Sequence, residues 1–231
     1  MAKNIEWKDD RDIYGRMLLL TGSFLFTGLR NAVDHYDANL KDALSWGQLK
    51  SKRWLILTLE DLDRDLGTIF MGAGWYAILA GMMFESKLKF DKIRSFDIDE
   101  ECAAIADTIN RKYVVDGWKF KATTLNIQNI EYPNTYITKK FNGEEQSLTE
   151  TPNTVINTSC EHIVDFQQWY ERIPEGTLCV LQTNNYFEIA DHVNCVEKLS
   201  DFAEQTPFQE LLYEGELDCN KYLRFMRIGI K

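Results

Sequence analysis

Apolar residues recur at helical spacing over the first sixty positions and then give way to short runs. Ile13, Met17, Leu20, Phe24, Leu25 and Leu29 fall three or four apart, which predicts a helix between about residues 10 and 37. A second helix is expected from Leu40 or Ser45 to Leu62. From Gly67 onward, short apolar runs alternate with helical stretches, the pattern of βαβ units around a parallel sheet. Strands are expected at Thr68 to Met71, Lys92 to Phe96, Lys119 to Thr123, Thr154 to Asn157 and Thr177 to Gln182. Helices are expected at Tyr76 to Phe84, Glu100 to Arg111, Phe166 to Arg172 and His192 to Glu204. Glu210 to Leu217 and Tyr222 to Ile230 read as two long strands joined by the polar turn Asp218 to Lys221, placing an antiparallel strand on an otherwise parallel sheet.

One segment exceeds a minimal βαβ connection. Between the third and fourth strands, Thr135 to Thr138 and Gln146 to Thr149 flank Asn142-Gly143, the strongest short signal for a β-hairpin. An inserted hairpin over about 133–150 is therefore expected, either as a decorative or oligomer-contact loop or as a substrate lid. The domain reading is a helical cap over 1–63 and an α/β domain over 64–231. The cap helices either cover one side of the sheet or roof a substrate pocket.

Composition narrows the class. With 231 residues, of which 45% are apolar, the chain can bury one sizeable core. Its formal charge of -10 argues against a nucleic-acid partner. The five cysteines are scattered, odd in number and include no C-x-x-C pair, so neither a disulfide framework nor a metal site is signalled. Reduced thiols in a cytoplasmic protein are the simplest expectation. The apolar stretch Met17 to Leu29 is shorter than the roughly 20 residues a bilayer span needs and is not placed like a signal peptide, so no membrane is expected.

The candidate chemistry begins after the first strand. Gly72-Ala73-Gly74-Trp75-Tyr76-Ala77 satisfies G-x-G-x-x-[GA], where glycine permits a tight turn and close approach of backbone to a ligand. Asp97 ends the second strand, where a carboxylate accepts hydrogen bonds from both ribose hydroxyls. The pair points to an adenosine-containing cofactor at the sheet edge. On these residues alone a nicotinamide dinucleotide and a sulfonium nucleoside both remain open.

The ordered set Gly72-Ala-Gly74, Asp97-Ile-Asp99 and Asn157-Thr-Ser-Cys-Glu161-His162, followed by the terminal strand pair, resembles the class I S-adenosylmethionine-dependent methyltransferases over residues 64–231. The resemblance implies a Rossmann-like α/β fold: a mostly parallel seven-stranded sheet with an antiparallel C-terminal strand pair, here with the helical cap and hairpin added. It implies S-adenosyl-L-methionine as cofactor. The loop residues Gly72, Ala73, Gly74 and Trp75 would wrap its methionine part, Asp97 would hold the ribose, and Ile98 would pack on adenine. Thr124 or Leu125 would meet the adenine amino group. Asn157 and Thr158 would pass between cofactor and substrate. His162, an imidazole whose ordinary pKa lies near neutrality, is the expected base, with Glu161 orienting it or acting alone. His35 and His192 are expected to be structural or surface residues.

The resemblance places a substrate pocket after the fifth strand, where Asn184, Asn185 and Tyr186 offer amide and aromatic groups, with Tyr76 beside the cofactor loop. The segment lacks the Asn/Asp-Pro-Pro-aromatic motif of enzymes that methylate base amines, which favours a small-molecule or peptide acceptor. Phe70 stands where the family carries an acid two residues before the first glycine, so the cofactor's ammonium needs another acceptor. The competing readings are an NAD(P)-dependent oxidoreductase, a partner subunit that binds the cofactor without catalysis, and an aminopropyl-type transferase. A homo-oligomer is left open.

Overall fold

The computed structural model describes residues 17, 21–36, 38–140 and 142–231; Ile13 and Leu20 of the expected first helix lie outside them. Seven strands form one sheet: β1 (Thr68–Gly72), β2 (Lys92–Asp97), β3 (Phe120–Thr124), β6 (Thr154–Asn157), β7 (Leu178–Asn184), β8 (Glu210–Asp218) and β9 (Leu223–Ile230). The other two, β4 (Asn134–Lys139) and β5 (Glu145–Glu150), make the separate hairpin expected around Asn142-Gly143. The sheet order is β3-β2-β1-β6-β7-β9-β8, parallel except that β9 runs antiparallel to both its neighbours.

The helices are α1 (Phe24–His35), α2 (Leu40–Ala43), α3 (Trp46–Leu62), α4 (Ile78–Phe84), α5 (Cys102–Ile109), α6 (Arg111–Val115), α7 (Phe166–Arg172) and α8 (Leu199–Gln205). Successive residues of β1 face opposite sides, and each side has its own core. Ile69 and Met71 pack with Leu55, Ile56 and Leu59 of α3 and with Leu79 and Met83 of α4. Phe70 packs on the other side with Phe96, Trp169, Tyr170 and Phe202. Burial on both faces explains why the first four residues of β7, Leu178 to Leu181, read as an unbroken apolar run. No described helix is long and apolar enough to cross a membrane.

The helices before β1 are packed into this architecture. Glu85 holds the start of α1 by accepting from the Ser23 hydroxyl (2.6 Å) and the Leu25 N–H (2.9 Å). Gly28 lets α1 lie on α5, since a Cβ there would stand 1.9 Å from the Ile109 carbonyl oxygen. On α3, Lys52, Leu55, Ile56 and Leu59 share the buried face, so one lysine points inward with the leucines.

Three elements differ from the sequence expectation. The helix expected over Glu100 to Arg111 breaks at Asn110, whose amide donates to the carbonyls of Ala77 and Ala106 (3.2 and 3.0 Å) and so ties the break to the cofactor-loop side. The helix expected from His192 to Glu204 is shortened to Leu199–Gln205. The preceding residues are held instead as a loop: Asn194 N–H donates to the Glu161 carbonyl (2.9 Å) and Val196 N–H to that of Asn184 (3.2 Å). Finally, β7 extends two residues beyond Gln182, which brings Asn184 into the sheet.

Candidate active site

The strand order reverses between β1 and β6, because the connections from β1 and β6 leave toward opposite ends of the sheet. A crevice opens at such a switch point, beyond the carboxyl ends of the strands. The register sets Gly72 opposite Phe96 on one side and Asn157 on the other. Here lies a cavity of about 570 Å³, walled by Ala73 and Trp75, by Asp97 to Asp99, by Asn126 to Gln128, and by Ser159 and His162 to Val164. Asp42 and Gln48 from the helices before β1, and Asp191 from the loop after β7, complete it.

The loop leaving β1 is conformationally costly. Ala73, Trp75 and Ala77 all have left-handed backbone (φ 49°, 48° and 52°), a region that costs a non-glycine residue about 1–2 kcal/mol. The two glycines do not take these angles. A Cβ on Gly74 would lie 2.0 Å from Ser95 Oγ, so any larger residue would force that hydroxyl to turn away. Asp97 helps hold the turn: its Oδ2 accepts the Trp75 N–H at 2.7 Å, while Oδ1 accepts that of Asp99 at 3.1 Å. Each carboxylate oxygen has a further lone pair. Asp97 therefore shapes the loop and retains capacity for two more donors.

After β6, Asn157 is wholly buried; its Oδ1 accepts the Ser159 N–H (2.8 Å), and its Nδ2 has no hydrogen-bond partner among the described residues. A 3-10 turn, Cys160–His162, follows, with Glu161 buried and His162 exposed. Glu161 goes inward, where its Oε1 accepts from Asn184 Nδ2 (2.6 Å) and Arg224 Nη2 (3.3 Å). His162 goes outward into the cavity wall, with Nδ1 against the Asp191 carbonyl oxygen at 3.1 Å. Arg224 also donates to the Thr158 carbonyl at 2.7 Å. Lys52 hydrogen-bonds Gln48 and lines a compartment of about 40 Å³ between the glycine loop and Thr158. Burial, reinforced by the positive charge of Arg224, lowers the Lys52 pKa to about 7, against the pull of Glu161 and Asp42.

Of the residues singled out in the sequence, Ala73, Trp75, Asp97, Ile98 and His162 meet in the cavity wall, and Gly74, Tyr76 and Thr158 border the smaller compartment. Gly72 lies beneath them at the end of β1, where a Cβ would approach Ile127 at 3.2 Å. Thr124 faces a different hollow, shared with β4; beside the cavity its place is taken by Asn126, Ile127 and Gln128. Tyr76 is stacked on Trp75 with ring centres 4.7 Å apart. Asn184 is buried behind Glu161, Asn185 Oδ1 accepts the Leu223 N–H (2.7 Å), and Tyr186 stacks on Tyr222. No described residue of the hairpin lines the cavity. Asp42, Gln48, Lys52, Asp191 and Arg224 were not indicated by any sequence motif. For Lys52, the one available signal was a charge on the apolar face of a helix.

No protein-family model matches the chain, and no curated protein matches it in sequence. Solved structures do match in fold. The N-methyltransferase NodS from Bradyrhizobium japonicum, in complex with S-adenosylhomocysteine, superposes with a TM-score of 0.56 at 7% identity, covering 90% of this chain and 98% of that one. For a geranyl diphosphate methyltransferase bound to S-adenosylmethionine the values are 0.54, 9%, 79% and 85%. For the magnesium protoporphyrin IX methyltransferase of Synechocystis they are 0.53, 12%, 96% and 98%. With the hairpin strands set aside, the sheet order, the terminal antiparallel pair and the switch-point cavity together give this chain the fold of the class I S-adenosylmethionine-dependent methyltransferases.

Proposed function

We propose that the protein transfers a methyl group from S-adenosylmethionine to an oxygen or nitrogen of a small-molecule or peptidic acceptor. The observation that carries this reading is the charge of the cavity wall: Asp42, Asp97, Asp99 and Asp191 line it, with no lysine or arginine among the described residues that do. Such a wall favours a ligand with a sulfonium and an ammonium and opposes the pyrophosphate of a dinucleotide. The fit extends to detail. Asp97 keeps lone pairs for ribose hydroxyls, and Asn157 Nδ2 is a buried donor in want of an acceptor. Asp42 supplies the carboxylate for the ammonium that Phe70 cannot hold.

When bound, the cofactor supplies an electrophilic methyl group. The chain's task is then alignment and proton removal. The carbonyl of Asp191 fixes hydrogen on His162 Nδ1, which leaves Nε2 with a lone pair to accept a proton from the acceptor. Calorimetric titration with S-adenosylmethionine, S-adenosylhomocysteine and NAD tests the reading. Both sulfur nucleotides are expected to bind and NAD is not; binding of NAD with neither sulfur nucleotide would overturn it.

A further inference from the structure

Glu161, His162 and His192 converge although thirty residues separate the first pair from the last. One carboxylate oxygen and one nitrogen of each ring all lie within 4.8 Å of one another. The two rings stand edge to face with centres 4.6 Å apart. Both are held the same way. His162 sets Nδ1 against the Asp191 carbonyl oxygen (3.1 Å), and His192 sets Nδ1 against that of Tyr186 (2.7 Å). A carbonyl oxygen can only accept, so Nδ1 carries the hydrogen in each ring and Nε2 keeps its lone pair. That is the arrangement by which a backbone carbonyl prepares a histidine as a metal ligand.

Glu161 adds an independent sign. Its side chain is 3% exposed, and Asn184 and Arg224 both bind Oε1. Oε2 is buried without any hydrogen-bond partner among the described residues. A buried carboxylate oxygen left unpaired is expensive unless something else occupies it. Asn184 and Arg224 orient the carboxylate from the other oxygen, as outer groups do around metal-ligating carboxylates.

We propose that Glu161, His162 and His192 bind a divalent transition-metal ion beside the cavity, which His162 borders. Two imidazoles and one carboxylate suit Zn²⁺, Co²⁺, Mn²⁺ or Fe²⁺, whereas Mg²⁺ and Ca²⁺ prefer oxygen ligands. Metal bonds of about 2.0–2.2 Å require donor separations near 3.3 Å in a tetrahedral site, so on loading the separations shorten by at most about 1.5 Å. His162 is exposed and His192 half-buried, and both sit on turns or loops rather than within the sheet. Three protein ligands leave positions open for an acceptor oxygen, a role that rests on the methyl-transfer reading. There the ion would stabilise the oxyanion as its proton passes to bulk water, in place of proton transfer to His162 Nε2.

The test uses the full chain without a histidine tag, titrated with Co²⁺ and followed by its visible ligand-field absorption, with Zn²⁺ calorimetry in parallel. One Co²⁺ per chain is expected, with affinity reduced at least tenfold in His192→Ala and in Glu161→Gln. S-adenosylhomocysteine affinity should stay unchanged in His192→Ala, which also reports that this variant is folded. No stoichiometric Co²⁺ or Zn²⁺ binding, or equal binding by wild type and His192→Ala, overturns the site. If that happens while S-adenosylhomocysteine still binds, the metal fails and the methyl-transfer reading stands. Stoichiometric metal lost in His192→Ala, in a protein that binds NAD instead, supports the site and removes that reading.

Discussion

Asp97 is the residue on which the cofactor reading can be tested most sharply, because it has two separable tasks. Its carboxylate accepts the N–H groups of Trp75 and Asp99 at 2.7 and 3.1 Å, and it is expected to accept the two ribose hydroxyls as well. Asp97→Asn keeps the shape but removes the charge and one of the two acceptor atoms. A hydrogen bond to a charged group contributes about 1.5–3 kcal/mol. Losing that from the ribose contacts lowers affinity roughly 10- to 150-fold at about 1.4 kcal/mol per tenfold. The half-exposed position puts the loop's own loss at the lower end of this range. Calorimetry with S-adenosylhomocysteine measures the first effect and urea unfolding without ligand the second. A 2′-deoxy analogue separates them. It should bind wild type more weakly than the parent nucleoside, yet bind the variant about as well as the parent does. An equal penalty in both proteins, or an affinity for S-adenosylhomocysteine within twofold of wild type, would refute the ribose contact and leave Asp97 as a support for the loop alone.

Two further changes address other parts of the molecule. Asp42→Asn should weaken S-adenosylhomocysteine about two- to fivefold, the range for an exposed ion pair, while methylthioadenosine, which lacks the amino acid tail, binds as before; equal loss for both ligands would remove Asp42 from the ammonium. Glu150 ties the hairpin to β2 through a two-pronged bond to Arg94 (2.7 and 2.9 Å), with Tyr136 and Lys92 also donating to it. Against the upward push of burial, these donors hold its carboxyl at about 2, below the ordinary 4.5. Its contribution is therefore complete above pH 4.5 and is lost as pH falls through about 2. Glu150→Gln should cost about 3 kcal/mol in urea unfolding at pH 7, the lower end for breaking a buried ion pair. The gap from wild type should narrow below pH 4.5; a gap that is flat from pH 7 to pH 3 would contradict the assignment.

The sheet was legible because its central strands, such as β1 and β6, are short, largely apolar and buried on both faces, and because Asn142-Gly143 and the long final strands announce their turns. Tertiary bonds decided where local pattern misled. The stretch from His192 to Lys198 has helical texture, but its backbone donors go to the carbonyls of Glu161 and Asn184, which the fold brings alongside. The same holds for the site. Ala73, Trp75, Asp97, Ile98 and His162 follow strand ends, where spacing along the chain carries information. Asp42, Gln48 and Asp191 reach the cavity only through packing of elements that have no motif. Asn184, an amide in a polar run, reads equally well as a surface group; the two extra residues of β7 bury it behind Glu161.

Phe70 shows how a missing motif residue and an unexpected one are linked. It is 1% exposed and faces Phe96 edge-on at 5.1 Å, with Tyr132 on another side. An acid at this position would sit among aromatic rings, and desolvation would penalise its charge unless the surrounding core were rebuilt. The aromatic packing thus supports β1 and removes a carboxylate from beneath the loop. Ile69 and Met71, on the opposite face of the same strand, pack against α3, and the helices on that side bring Asp42 and Gln48 to the cavity. Negative charge lost beneath the loop is available from the helices before β1. Those helices bury apolar surface against the sheet and also form part of the cavity wall. If Asp42 holds the ammonium, the N-terminal helices belong to the binding site as much as the glycine loop does.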